Sequence, residues 1–98
     1  MKPLRPSHHT FRGKRYCIRW RPPTDTRNVG ECDDPKYKRP VMVIHPDVTG
    51  IEKLMTLIDE SIHALNYDLD NDVVSDMSSD MAKFLWECGL RFIDEIAE

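Results

Sequence analysis

The 98-residue sequence has no apolar run approaching the roughly 18 residues that would cross a bilayer as a helix, and Met1-Lys2-Pro3-Leu4-Arg5 offers no apolar core for a secretory signal. A soluble, cytoplasmic chain is expected. It also lacks any Cys-x-x-Cys pair. Cys17, Cys32 and Cys88 are odd in number and far apart, which points away from a zinc knuckle or a disulfide framework and toward reduced, partly buried thiols. There is no internal repeat and no low-complexity tract. A chain this short builds one modest core and not two.

Basic residues are scarce in one part only. Residues 41–98 hold three Lys/Arg against thirteen Asp/Glu, whereas residues 1–40 hold eleven against four, so a net charge of -3 conceals two halves that attract each other. A basic segment could serve a phosphate backbone, but the acidic half would repel that backbone and can itself satisfy the basic one. A nucleic-acid partner is therefore not expected, and the Arg15, Arg19, Arg21 row is read as facing solvent or the acids of the second half.

What is present begins with residues 1–13, where two prolines, His8-His9 and Gly13 occur without an apolar period. These residues are expected to form a flexible N-terminal arm, with one domain over 14–98. From Lys14 to Arg21 the pattern alternates, Tyr16, Ile18 and Trp20 on one side, which predicts a half-buried strand ended by Pro22-Pro23. Val29-Gly30-Glu31-Cys32 suits a short edge strand, and Val41-Met42-Val43-Ile44 suits the most buried one. His45-Pro46-Asp47-Val48 is then a turn, in which His45 is more simply a turn residue than a site residue.

Thr49-x-x-Glu52 has the form of a capping box and predicts a helix from about Gly50 to Asn66. Ile51, Leu54, Met55, Ile58, Ile62 and Leu65 fall within about 100° of arc, with Asp59, Glu60 and His63 in a neighbouring sector. A second helix, capped by Asp70 or Asn71 and made acidic at its start by Asp72, should run from about Val73 through Trp86. Its apolar set is Val74, Met77, Met81, Phe84, Leu85 and Cys88, with Asp76 and Asp80 on a flank. Gly89 ends it or admits a close neighbour, and Leu90, Ile93 and Ile96 continue a helical spacing. Asp68-x-Asp70-x-Asp72 is not a calcium loop, because Val73 stands where Gly is needed and Ser79 where Glu is needed.

Asp59-Glu60-Ser61-Ile62-His63 has the spacing of His-Glu-x-x-His with the first residue changed. In that motif two ligands lie one turn apart on a helix, and the Glu beside the first can deprotonate a zinc-bound water. Without further information, these acids and His63 read equally well as the solvated faces of two amphipathic helices.

Leu57 to Leu69 followed by Val74 to Trp86 resembles small phage and bacterial proteins with the pattern L-x-HE-x-x-HA-x-x-W/Y-DLD and a following helix. The chain is similar to minimal zincins of the minigluzincin and immunity-repressor peptidase families over about residues 14 to 92, most specifically at Glu60, His63-Ala64, Tyr67-Asp68-Leu69-Asp70 and Phe84-Leu85-Trp86. In gluzincin-like members a third ligand comes from a Glu-x-x-x-Asp pattern on the next helix, which Asp76-x-x-x-Asp80 matches with Asp in the ligand position. The resemblance thus implies Asp59, His63 and Asp76 around a zinc, Glu60 as general base and Asp80 supporting Asp59. It also implies an α+β fold, a small twisted three-stranded sheet followed by two or three helices, whose edge strand holds a peptide by strand addition.

Two carboxylates and one imidazole hold zinc less selectively than two imidazoles and one carboxylate, and Asp80 beside Asp59 sets like charges together. The expected function is therefore a degenerate zincin-like, phage-type protein acting as a binding or accessory module on a protein or peptide of the host cytoplasm, with zinc or no cofactor. The alternative is a metal-dependent peptidase with an Asp/His/Asp site.

Overall fold

Four strands form one mixed sheet: His8–Phe11 (β1), Lys14–Trp20 (β2), Gly30–Cys32 (β3) and Val41–Ile44 (β4), in the spatial order β1-β2-β4-β3. The computed structural model describes residues 2–96, so Met1 of the expected arm and the last two residues of the expected domain lie outside the described residues. β1 runs antiparallel to β2, β2 parallel to β4, and β3 antiparallel to β4, which leaves β1 and β3 as edges.

The sheet has one strand more than expected. The hairpin between β1 and β2 turns on Arg12 and Gly13, both with positive φ (47° and 80°), as a two-residue turn of right-handed strands requires. From His8 onward the expected loose arm is therefore a strand. The preceding residues are tied down as well: Ser7 carbonyl accepts from the Ile18 amide at 2.8 Å, and Pro6 carbonyl accepts from Trp20 Nε1 at 3.0 Å.

Two helices follow, Gly50–Leu65 (α1) and Asn71–Glu87 (α2). α1 lies across the sheet face that carries Tyr16, Ile18, Met42 and Ile44, and with Val48 and Ala64 these side chains make the core. Each large core side chain contributes roughly 1.5–3 kcal/mol by leaving water. Tyr16 is fully buried and its hydroxyl donates to the Asp33 carbonyl at 2.9 Å, so its polar end is satisfied. On the opposite face Val43 is buried beside Glu31, whose carboxylate accepts from the Thr24 and Asp25 amides and holds the preceding loop in place.

α1 is covered on two sides, by the sheet and by α2, so its buried surface is wider than one stripe. Lys53, Thr56 and Glu60 are buried together with Leu54, Ile62 and Ala64, whereas Leu65 is exposed. The expected capping box does not form: Thr49 makes no side-chain cap, and the Gly50 amide donates instead to Glu95 Oε1 at 2.8 Å. A carboxylate from the far end of the chain supplies the acceptor there.

α2 meets α1 through a line of small residues, Val74, Ser78 and Ala82. Small side chains let the two backbones approach, so the bulkier Met77, Met81 and Phe84, expected to be core, stay exposed. α2 ends at Gly89, with φ +99°, where Leu90 N–H donates to the Leu85 carbonyl and Gly89 N–H to the Trp86 carbonyl, both at 3.0 Å. That is a Schellman stop. The expected C-terminal helix is reduced to one 3-10 turn, Ile93–Glu95.

Candidate functional site

An open cleft of about 940 Å³ runs between edge strand β3 and the two helices. One wall is the continuous segment from Asn28 to Cys32. The floor is α1, which presents Glu52, Met55, Thr56, Asp59, Glu60 and His63 at helical spacing. The far wall is α2, which presents Asn71, Ser75 and Ser78.

Asp59, Glu60 and His63, which share about one turn of α1, hold their ligand-type atoms within 4.8 Å of one another. Asp59 has two partners: Oδ2 lies 3.5 Å from His63 Nε2, and Oδ1 accepts from the Ser78 hydroxyl at 3.1 Å. His63 also meets the Tyr67 ring edge-on, with centroids 6.4 Å apart. Asp59 is thus tied to α2 through Ser78, and His63 lies between Asp59 and the Tyr67 ring.

Glu60 differs. Its side chain turns under β3, where a Cβ on Gly30 would come within 2.6 Å of Glu60 Oε2 and 2.9 Å of its Cγ. A side chain at position 30 would force Glu60 to shift, so this approach and not the backbone angles favours glycine there. Among the described residues nothing donates to or accepts from the Glu60 carboxyl, although the residue is only 6 % exposed. Burial, then the charges of Asp59 and Glu31, push its pKa up to about 8. At neutral pH it is held mainly as the neutral acid.

Cys32 lines the same cleft, but burial pushes its thiol up to about 12, and its neighbour Tyr16 is also pushed up, chiefly by burial. Neither is a nucleophile near neutral pH.

The five site residues expected from the sequence separate into two groups. Asp59, Glu60 and His63 come together in the cleft. Asp76 and Asp80 are exposed on α2, outside the cleft lining and outside the group of ligand-type atoms. The α2 face opposite Asp59 belongs to Asn71, Ser75 and Ser78, and that row at i, i+4, i+7 was the legible signal for it. The edge strand Val29 to Cys32, expected to hold a peptide, does line the cleft, whereas Tyr67 was missed as a cleft residue.

The zinc that the resemblance implies does not fit this donor set as a catalytic centre. With Glu60 reserved as base, Asp59 and His63 remain among the described residues, one short of the three protein ligands such a centre uses, and Ser78 already donates to one oxygen of Asp59. His45 is not a further donor, since its Nδ1 accepts from the Asp47 amide at 3.1 Å inside its own turn. No helix among the described residues is long and apolar enough to cross a membrane. Comparison of the chain with known protein families, with curated proteins and with solved structures finds no match in any of the three.

Proposed function

We propose that the chain is a peptide-binding module on a zincin-like scaffold, which adds an extended segment of a partner protein to the outer edge of β3. The observation that carries this reading is an unpaired edge strand running along the mouth of a polar cleft. In β3 the Val29 carbonyl accepts from the His45 amide at 2.8 Å, and the Asp33 amide donates to the Val41 carbonyl at 3.0 Å. Alternation in an antiparallel ladder then turns the N–H and C=O groups of Gly30 and Cys32 outward, to the free edge. Those four groups are what an added strand needs.

Catalysis is not part of this function. A neutral Glu60 is a poor base at neutral pH, and α2 brings serines and an asparagine to the cleft in place of a third metal ligand. The resemblance to phage proteins makes a host cytoplasmic protein the expected source of the bound segment. The test is backbone amide spectroscopy with a panel of extended, end-capped pentapeptides. A binding peptide should shift the Gly30 and Cys32 amides and slow their exchange. If no member of the panel moves any β3 amide, the proposal fails.

The close grouping of Asp59, Glu60 and His63 favours one second reading, a metal-dependent peptidase with Glu60 as general base. Calorimetric zinc titration of the natural protein and of the Asp59→His/Asn71→Glu variant separates the two. Tight zinc binding by the natural protein supports the peptidase; zinc binding by the variant alone supports a scaffold whose metal site has been lost.

A further inference from the structure

We infer that the cleft selects a peptide carrying a lysine or arginine opposite Gly30, whose cationic head lies over the Asp59–Glu60 pair; this rests on the strand-addition reading above. Three observations lead there. The cleft lining holds the acids Glu31, Glu52, Asp59 and Glu60, and no Lys or Arg among the described residues. His63 is the basic side chain already there, 3.5 Å from Asp59 Oδ2, so a ligand's cation shares Asp59 with an imidazole but has Glu60 to itself.

The second observation is Glu60 itself. It is only 6 % exposed, has no hydrogen-bond partner among the described residues, and opens on the cleft. The residue as a whole is buried, but its carboxyl oxygens reach the water of the cleft, where a ligand's cation can meet them. The Ser78 hydroxyl donates to Asp59, whereas among the described residues no group hydrogen-bonds the Glu60 carboxyl.

The third is register. A residue directly opposite Gly30 on an added strand points its side chain to the same sheet face as the Gly30 Cα substituent would point, and on that face stands the Glu60 carboxyl. Glycine at position 30 lets the Glu60 carboxyl lie close under the strand. A long, flexible stem ending in an ammonium or guanidinium group can carry a charge from the sheet edge toward Glu60, whereas a short or apolar side chain leaves that acid without a cation.

The experiment compares the pentapeptide acetyl-Thr-Val-Lys-Val-Thr-amide with its norleucine counterpart, which keeps the stem and loses the charge. Affinity is read by calorimetry, and strand addition by the Gly30 and Cys32 amide shifts. The lysine peptide should bind about tenfold tighter, the lower end of what a charge-assisted hydrogen bond contributes. In the Asp59→Asn/Glu60→Gln variant the two affinities should converge. Equal affinity of both peptides for the natural protein, with the β3 amides shifting, overturns the cation site and leaves strand addition standing. Amides that move with neither peptide overturn both. A lysine preference that survives in the variant also overturns the inference, because it places the cation elsewhere.

Discussion

Lys53 and Glu60 lie about two turns apart on α1, and each is buried to a similar degree, 7 % and 6 % exposed. Their surroundings are opposite. The Lys53 ammonium stands 3.6 Å from Glu95 Oε2, 3.9 Å from Asp94 Oδ2, 4.4 Å from the centre of the Phe92 ring and 5.8 Å from that of Trp20. Asp94 in turn accepts from the Leu4 amide at 3.0 Å, and Glu95 from the Gly50 amide. Lys53 is thus the centre of a closed network joining both ends of the described chain to α1. Glu60 is the centre of nothing. The difference teaches how to separate a buried charge that holds a fold together from one that is held open: the first is surrounded on all sides by the chain's own partners, the second faces a cleft without any.

The largest expected effect is on the closed side. Lys53→Ala removes the cation that two carboxylates and two rings share, together with the packing of its stem, and should cost about 3 kcal/mol in urea denaturation. A loss no greater than that of an exposed lysine would show that the network contributes little and would erase the contrast.

Glu60→Gln should have the opposite sign. Its folded pKa of about 8 lies above the ordinary carboxylate value near 4.5 that the unfolded chain retains. The unfolded chain therefore releases its proton first. The contribution of Glu60 is fully present below about pH 4.5 and is lost as pH rises through about 8. At about 1.4 kcal/mol per pH unit the separation sets an upper bound of about 5 kcal/mol. Because cleft water reaches the carboxyl oxygens, the substitution should leave stability nearly unchanged in acid and raise it by roughly 2 kcal/mol above pH 8, measured as the difference between denaturation midpoints at the two pH values. A stabilisation independent of pH would mean that burial of the carboxyl is not the cause.

Gly30→Ala sharpens the geometry, since the added methyl meets Glu60 Oε2 and Cγ. It should cost roughly 1–2 kcal/mol, with much of this recovered in the Gly30→Ala/Glu60→Ala double variant, a cycle that isolates the contact. The smallest change is Ser78→Ala, which removes the hydroxyl that donates to Asp59 and should cost about 1 kcal/mol. Because Asp59 keeps His63 as a neighbour, that loss should be smaller than the gain from Glu60→Gln at high pH.

Much of this architecture was legible in the residues, and the gaps have physical causes. β2 and both helices announced themselves by period, and β4 by a continuous apolar run that is buried on both faces. β1 did not, since His8–Phe11 as an edge strand is mostly exposed and carries no apolar alternation; its clue was the Arg12-Gly13 turn. The N-terminus of α1 matched a capping box, but Glu95, distant in sequence, took the Gly50 amide. On α2, size misled: hydrophobicity chose Met77, Met81 and Phe84 for the core, while close approach to α1 chose Val74, Ser78 and Ala82. The same rotation carries Asp76 and Asp80 away from the cleft and brings Asn71 and Ser75 into it. Spacing on a single helix, which groups Asp59, Glu60 and His63, survives such rotations, whereas a correspondence between two helices does not.

The most direct test of the contrast is the titration of the Glu60 side-chain carboxyl, followed by its carbon chemical shift in selectively labelled protein. Titration near pH 8 is predicted. A Glu60 that titrates in the ordinary carboxylate range would contradict the account, because such an acid would be neither buried from water nor left waiting for a partner.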